Sequence, residues 1–338
     1  DLHSFPTRRS SDLRTYTVFM FPGSGTSAKR FSEDIYENSS IFRKYYDRCR
    51  ETARDLTGKD LDESTDLKII SVNYSTAMML EEMGIVPSAL VGHSLGEYSM
   101  AAFAGIFSIE DALRLEYERS QLIKGLPEGR MISVAADDNS IKGLLADGAV
   151  IACRNVRDRL VVTCTGNSFE ETLQNFRKNH IRYTVVDVNS CAHTDVMDRI
   201  SEYYRKCFEG VRFSDARYPV YSTLYGKMVS GNELKRPEYW TDQMSHTVLF
   251  EKACLAVRDD FEDDLAFIET GSNDALTTFV NRISIIDKKV SAFSALKLYE
   301  DGEDVNHEWY GVLRLCGELW KLGAGFDENA VPKVSGSS

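Results

Sequence analysis

A glycine stands two residues to either side of Ser94, in Gly92-His93-Ser94-Leu95-Gly96. An apolar run, Ala89-Leu90-Val91, leads into this segment, and residues 97–104 read as a helix. Strand, glycine-fenced serine and helix in that order form the strand-turn-helix elbow that presents a nucleophile. Glycine is needed because a Cβ would obstruct so tight a turn. The turn lifts the serine hydroxyl off the sheet edge, and the first amides of the next helix face the space where an oxyanion would develop. An idle serine in a glycine-rich turn is the blander reading, and the order of the three elements favours the nucleophile.

The chain around the elbow alternates strands with long helices. Residues 15–21 are apolar and rich in β-formers, and they end at Pro22-Gly23-Ser24-Gly25. Helices are expected over 31–57 and 67–83, then a strand over 85–91. Another helix is expected over 109–123. This pattern predicts an α/β fold, a parallel sheet wrapped by helices. From residue 130 to 188 the rhythm changes. Strand 131–135, helix 139–146, strands 149–153 and 160–164, helix 168–179 and strand 181–188 follow the β-α-β-β-α-β order of a ferredoxin-like unit. A strand at 218–224, a helix at 240–256, a strand at 265–269 and a helix at 307–322 complete the body. An inserted small domain creates a cleft against the body, a common place for a ligand. The expected division is 14–128 and 190–325 for an α/β-hydrolase-like large domain and 129–189 for the ferredoxin-like small domain. Residues 1–13 read as a non-native scar and 326–338 as a tail.

With 338 residues the chain can bury a large core. Its formal net charge of -12 disfavours nucleic acid as a partner. No apolar run approaches the ~18 residues of a membrane span, and no secretory signal is visible. The seven cysteines include no Cys-x-x-Cys pair, so neither a disulfide framework nor a metal site is indicated, and a reducing cytoplasmic setting is expected.

A serine nucleophile needs a base, and six histidines are available. His3 lies in the scar, His180 and His307 sit among charged residues, His93 adjoins Ser94 but points elsewhere, and His246 lies in a polar stretch. His193, in Asn189-Ser190-Cys191-Ala192-His193-Thr194 at the exit of the small domain, is the candidate that remains. Asp137, Asp138 and Asp187 are candidate third members of a triad, none marked by a turn motif. A backbone carbonyl orienting the imidazole would serve as well. Arg119 falls on the apolar stripe of its helix, between Leu115 and Leu122. It is either a snorkelling edge residue or a carboxylate-binding group aimed into a cavity. These residues support acyl transfer through an acyl-serine, with the acceptor, water or a thiol, left open.

Taken together, these motifs resemble the malonyl-CoA:acyl-carrier-protein transacylases and the acyltransferase domains of polyketide and fatty-acid synthases. The resemblance rests on Gly92-His93-Ser94-Leu95-Gly96-Glu97-Tyr98, on Phe21-Pro22-Gly23, and on Arg119 standing 25 residues after Ser94. It rests also on Ser190-Cys191-Ala192-His193, on Tyr239-Trp240-Thr241-Asp242-Gln243 with Val248-Leu249-Phe250, and on Glu269-Thr270-Gly271. It covers about residues 15–295. It implies Ser94 as nucleophile and His193 as base and acid, oriented by the backbone carbonyl of Gln243. It implies an oxyanion hole from the amides of Leu95 and Ser24, and pairing of Arg119 with the free carboxylate of a malonyl-type unit. His93, Asp66, Asn155 and Ala192 are the further substrate-binding positions it implies. Ser24 and Asp66 stand where the family carries glutamines, and Arg157-Asp158-Arg159-Leu160-Val161 replaces an Asn-Ser-Pro-x-Gln segment. Asp66 would add negative charge near Arg119 or pair with it.

The expected activity is transfer of a malonyl-type α-carboxyacyl group from coenzyme A to the phosphopantetheine thiol of an acyl carrier protein. No metal or organic cofactor is expected, and a discrete monomeric cytoplasmic enzyme is. A proofreading hydrolase acting on carrier-bound acyl groups and a non-catalytic docking module are the alternatives. Carrier proteins are acidic, so docking needs a basic patch. Arg199, Arg205 and Lys206 are one candidate, and Arg282, Lys288 and Lys289 another.

Overall fold

The first strand shows how the body is built. β1 (Thr15–Phe21) sends Phe19 and Phe21 into one apolar cluster and Val18 and Met20 into another, and all four are fully buried. Successive strand residues point to opposite faces, so a strand that is apolar on both must lie inside a sheet covered on both sides. The computed structural model describes residues 15–24, 33–284, 289–297 and 308–325. The expected scar and tail lie outside them.

After β1 come α1 (Glu33–Asn38), α2 (Ser40–Thr57), α3 (Thr65–Glu82), β2 (Ala89–Gly92), α4 (Gly96–Ala104) and α5 (Ile109–Ile123). The next run is β3 (Gly129–Val134), α6 (Asp138–Ile141), β4 (Ala149–Val156), β5 (Arg159–Thr165), α7 (Ser168–Lys178) and β6 (Tyr183–Asn189). Then follow α8 (Asp198–Lys206), β7 (Val220–Ser222), β8 (Lys227–Val229), α9 (Gly231–Leu234), α10 (Pro237–Ser245) and α11 (Phe250–Asp260). β9 (Asp264–Glu269), α12 (Ala275–Ser284), β10 (Val290–Ser294) and α13 (Glu308–Lys321) close the chain.

The fold is α/β. A six-stranded sheet has the order β10-β9-β1-β2-β7-β8, parallel except for the edge pair β7–β8. From β1 the chain steps to β2 and β7 on one side and later to β9 and β10 on the other. Such a reversal opens a crevice beyond the carboxyl ends of the central strands. Ser24 follows β1 there and Ser94 follows β2. A second, four-stranded antiparallel sheet has the order β4-β5-β3-β6, with α6 and α7 and a core that includes Ile132, Val162 and Phe176. The four-stranded sheet is tied to the body where Val248, between α10 and α11, bonds through its N–H to the Ala152 carbonyl and through its carbonyl to the Arg154 N–H, both at 2.8 Å.

Several boundaries differ from expectation for identifiable reasons. The helix expected at 31–57 breaks at Ser39, whose hydroxyl caps α2 by accepting from the Phe42 N–H at 3.2 Å. The strand expected from residue 85 begins at Ala89, because Pro87 has no N–H to give a ladder. The helix expected at 139–146 is a single turn that stops before Gly143. The helix expected at 240–256 is two helices, because His246 to Leu249 is drawn out straight by the bonds of Val248 to β4. α8, α12, β8 and β10 were not expected.

Two glycines separate steric necessity from tolerance. A Cβ on Gly96 would stand 1.9 Å from the Phe21 carbonyl oxygen, so α4 can start against β1 only with glycine there. A Cβ on Gly317, within α13, would meet nothing within 4 Å. Gly96→Ala should cost at least about 3 kcal/mol through overpacking against backbone. Gly317→Ala should stabilise by about 0.5–1 kcal/mol. Urea midpoints moving in opposite directions for the two variants would bear this out, and a neutral Gly96→Ala would refute the contact.

Candidate active site

Ser94 sits at the carboxyl end of β2 with φ 53°, a left-handed conformation that a serine adopts only under local constraint. The constraint comes from both flanking glycines. A Cβ on Gly92 would fall 2.7 Å from the Glu97 Cα, and Gly96 lies against Phe21 as described. Beneath the turn, Glu97 is fully buried. Its carboxyl accepts from the Tyr239 hydroxyl at 2.7 Å, the Thr223 hydroxyl at 2.6 Å and the Thr223 N–H at 3.1 Å. Burial pushes its pKa up to about 7, against the lowering effect of these donors. The Thr223 hydroxyl also lies 3.0 Å from the Gly92 carbonyl, so this network ties β2, α4 and α10 together.

The elbow meets His193, which is also left-handed with φ 63° and is buried. Ser94 Oγ and His193 Nε2 are 2.8 Å apart. On the other side of the ring, Nδ1 lies 2.9 Å from the backbone carbonyl of His246. A carbonyl can only accept, so Nδ1 carries the proton and Nε2 presents a lone pair to the serine O–H. The His193 N–H donates to the Met244 carbonyl at 2.8 Å, pinning the backbone as well. The expected orienting carbonyl, that of Gln243, is corrected to His246. Residue 246 lies past the end of α10, where its carbonyl is free of helical bonding, and Gln243's is the smaller influence on the ring. The Gln243 side chain instead donates to the Ser94 carbonyl at 2.9 Å. Among the described side chains no aspartate takes the triad position: Asp137 caps α6 at Ser140 and Asp138 pairs with Arg154 at 2.6 Å. The side chain of Asp187 lies outside the described residues.

Burial lowers the His193 pKa to about 4, overriding the carbonyl that favours protonation. The ring is therefore neutral at pH 7 and ready to accept a proton. The Leu95 N–H has no partner among the described contacts, and neither has that of Ser24. A Cβ on Gly23, next to Ser24, would lie 3.3 Å from the Leu95 nitrogen. The loop after β1 thus runs directly beside the elbow amides. The arrangement can deprotonate a serine, accept an anionic tetrahedral oxygen on backbone amides, and return the proton to a leaving thiolate.

Ser94 and His193 open onto a cavity of about 380 Å³. Its walls include Ser24, Asp66, His93, Arg119, Asn155 and Ala192 from the expected set. His93 Nε2 donates to Asn155 Oδ1 at 2.7 Å, and burial lowers the His93 pKa. The Ala192 carbonyl accepts from Thr163 of β5 at 3.2 Å. Arg119 is buried, stacks 5.5 Å over the Tyr98 ring, and bonds through Nε to Glu116 Oε2 at 2.7 Å. Of the two alternatives for Asp66, direct pairing with Arg119 does not occur: Asp66 Oδ1 takes the Ser24 hydroxyl at 2.9 Å, Glu116 holds the arginine, and the Asp66 charge acts on Glu116. Glu116 was missed because a glutamate three residues before an arginine on a helix normally reads as a surface pair. Val186 and Val188 of β6 and Leu276 and Phe279 of α12 add an apolar wall. Of the basic residues expected to dock a partner, four are engaged nearby, Arg205 with Glu238, Lys206 with Glu202, Arg282 with Asp158, and Lys289 with the Glu262 carbonyl, whereas none of the described hydrogen bonds or ion pairs involves Arg199. Lys288 lies outside the described residues. Among the described residues no cluster could hold a metal ion and no helix is long and apolar enough to cross a membrane.

Comparison with known proteins agrees with this chemistry. The family model of the acyl transferase domain matches residues 18–283. One component of the phenolphthiocerol/phthiocerol polyketide synthase of Mycobacterium tuberculosis is 25% identical over 329 residues, covering 92% of this chain and 21% of that protein. The non-reducing polyketide synthase rdc1 of Metacordyceps chlamydosporia is 27% identical over 356 residues, covering 98% of this chain and 17% of that protein. The chain thus spans about a fifth of the length of these curated relatives. Among solved structures, the acyl transferase domain of SpnD in complex with 2-(pent-4-yn-1-yl)malonyl superposes with a TM-score of 0.84 at 23% identity, covering 95% of this chain and 79% of that one. MCAT from Streptococcus pneumoniae gives 0.73 at 19% identity, covering 90% and 100%.

The depressed pKa of His193 sets a pH prediction. A base acts in its neutral form, so Ser94 acylation should stay level from about pH 8 down to about pH 5.5. It should fall as pH drops through about 4. Single-turnover acylation across this range, read by intact mass, checks it. A loss of rate centred near the ordinary histidine value of 6.5 would show that the ring is not desolvated as described.

Proposed function

The chain belongs to the acyl transferase domain family, and on that footing we propose that it moves an α-carboxyacyl unit of malonyl type from coenzyme A to the phosphopantetheine thiol of an acyl carrier protein. The setting proposed is polyketide or fatty-acid biosynthesis in the cytoplasm. One observation carries the reading. Ser94, the His193 ring that the His246 carbonyl holds, and the buried Arg119 share one cavity, lined by Ser94, His193 and Arg119.

In the first half-reaction Ser94 Oγ attacks the thioester carbonyl while His193 Nε2 takes its proton. The tetrahedral oxygen is met by the Leu95 and Ser24 amides. The intermediate collapses, the C–S bond breaks, and His193 returns the proton to the coenzyme A thiolate. The second half-reaction is the reverse with the carrier thiol as nucleophile, which leaves Ser94 free. His193 does the proton transfer and the amides carry the charge, so no metal or organic cofactor enters the proposal. Arg119 takes the free carboxylate of the acyl unit through its Nη groups, which have no partner among the described contacts.

The four-stranded unit of residues 129–189 is read as a ferredoxin-like small domain inserted in an α/β-hydrolase-like body. Its strand order and the β-α-β-β-α-β sequence of elements support this. It supplies the cavity wall facing the elbow. A monomer is proposed, with coenzyme A thioesters and carrier protein as partners.

Ser94→Ala should abolish the covalent acyl adduct formed with malonyl-CoA while leaving the unfolding transition unchanged. A persisting adduct in the variant would refute the nucleophile. Preloaded acyl-Ser94 should survive in buffer and discharge when holo-carrier is added. Rapid hydrolysis unaffected by carrier would favour a proofreading hydrolase instead. Arg119→Ala should slow malonyl transfer at least about tenfold relative to acetyl transfer, the loss of one charge-assisted hydrogen bond. An unchanged ratio would sink the α-carboxyacyl assignment.

A further inference from the structure

The turn after β1 is held from one side by α3. Asn73, buried on that helix, donates through Nδ2 to the Pro22 carbonyl at 2.8 Å. Two turns earlier, Asp66 Oδ1 accepts from the Ser24 hydroxyl at 2.9 Å. Residues two helical turns apart share a face, so one face of α3 grips the chain on both sides of Gly23. Gly23 itself is pressed against the elbow: a Cβ there would stand 2.6 Å from the His93 carbonyl oxygen. The Asn73 amide also reaches the Ser99 hydroxyl of α4 at 3.3 Å, and that hydroxyl donates to the Gly96 carbonyl at 3.0 Å. Asn73 thus ties together the two backbone segments that carry the Ser24 and Leu95 amides. On the cavity side, Ser24 and Asp66 are half-buried and part of the lining. Asp66 is a firm anchor. It lies in the first turn of α3, where free helix amides favour a carboxylate, and its neighbours Leu67, Ile69 and Ile70 are buried.

We propose, resting on the acyl-serine reading above, that Asp66 is a positioning residue for the oxyanion hole. The Gly23–Ser24 peptide, whose N–H is the donor, lies between the two anchors on α3. Glycine is required at 23 by the close approach to the elbow, and it leaves the peptide that follows free to rotate. The bond from Ser24 to Asp66 takes up that freedom and fixes where the N–H points. An oxyanion hole works by preorganisation: donors that are already aimed need no rearrangement when charge develops. Asp66 therefore acts on the reaction through the Ser24 backbone. A different role is available to its charge, which is felt at Glu116, the partner of Arg119. That role would change the preference between acyl groups, whereas the tether changes the rate with all of them. The tether needs only an acceptor at Asp66, and the charge needs the carboxylate.

The test measures Ser94 acylation from malonyl-CoA and acetyl-CoA by intact mass, in the wild type and in variants of the two residues. Ser24→Ala keeps the amide and removes its tether. Asp66→Ala removes the tether and the charge, and Asp66→Asn restores an acceptor without the charge. Losing an oxyanion donor outright slows turnover about 10²–10³-fold, and this donor is only loosened, so the rate at saturating thioester should fall about 10–100-fold in Ser24→Ala and in Asp66→Ala. The half-saturating concentration should move by less than about threefold, because the amides act on charge that develops only in the transition state. In Ser24→Ala both thioesters should slow alike. With acetyl-CoA, whose acyl group is neutral, Asp66→Asn should recover most of the rate lost in Asp66→Ala. The double variant Ser24→Ala/Asp66→Ala should be no slower than the slower single variant, since both lose the same bond. A Ser24→Ala rate within about threefold of the wild type would overturn the inference while leaving the acyltransferase reading standing. So would an Asp66→Asn rate as low as that of Asp66→Ala, or a double variant in which the two losses multiply. Acylation of the wild type by neither thioester would remove the functional reading and this inference with it.

Discussion

The backbone carbonyl of His246 holds the site together. It fixes which nitrogen of His193 carries the proton, and so which nitrogen faces Ser94. It can do so only because α10 ends at Ser245 and the chain runs straight from His246 to Leu249 before α11. The last carbonyls of a helix have no partner in a turn above, and the chain past Ser245 adds the His246 carbonyl to those that can turn to the ring. The straight segment is stabilised from outside itself. Val248 is bonded on both its N–H and carbonyl to β4, and the Thr247 hydroxyl donates to the Ile151 carbonyl at 2.8 Å. The general base, at the exit of the four-stranded unit, is thereby aimed by a segment of the body that β4 of that unit holds in place.

Electrostatically, the cavity differs from one built around a lone arginine. Arg119 is paired with Glu116, and Asp66 is close enough to influence that pair. Burial of the guanidinium is the largest force against its charge, and Glu116 more than offsets it, so the Arg119 pKa lies above its ordinary value. A buried ion pair adds little net stability after desolvation. What it does here is fix the direction of the guanidinium, with Nε spent and the Nη edge available. Above the reacting atoms, apolar residues of β6 and α12 keep the surroundings dry, which accounts for the depressed pKa of His193.

How much of this was legible depended on whether the cause was local. The elbow is local: Gly92 and Gly96 are required by contacts within a few residues or with the adjacent strand, and Ser94 was evident from their spacing. His193 followed by elimination from a small set of histidines. Arg119 stood out because a charge on an apolar stripe needs a partner. The His246 carbonyl was out of reach, since it depends on hydrogen bonds from Val248 to a strand far earlier in the chain. Without that pairing, 240–256 is a good helical pattern. Glu116 was likewise hidden, because its burial comes from the packing of α5 and not from its neighbours in the chain. Two strands begin later than their apolar runs, β2 after Pro87 and β7 after Pro219, because a proline has no N–H to give a ladder.

The pairing of β4 with the segment before α11 bears on how the molecule can be taken apart and recombined. β4 carries Asn155, which bonds His93 beside the nucleophile, and just before it Ala152 and Arg154, which grip Val248. A chimaera that exchanged the four-stranded unit for that of a relative would import a new cavity wall and, with it, a new cradle for the general base. Selectivity and rate are therefore mechanically joined in this fold, and a graft of the unit would keep its catalytic power only if the donor's strand and the recipient's straight segment were exchanged as one piece.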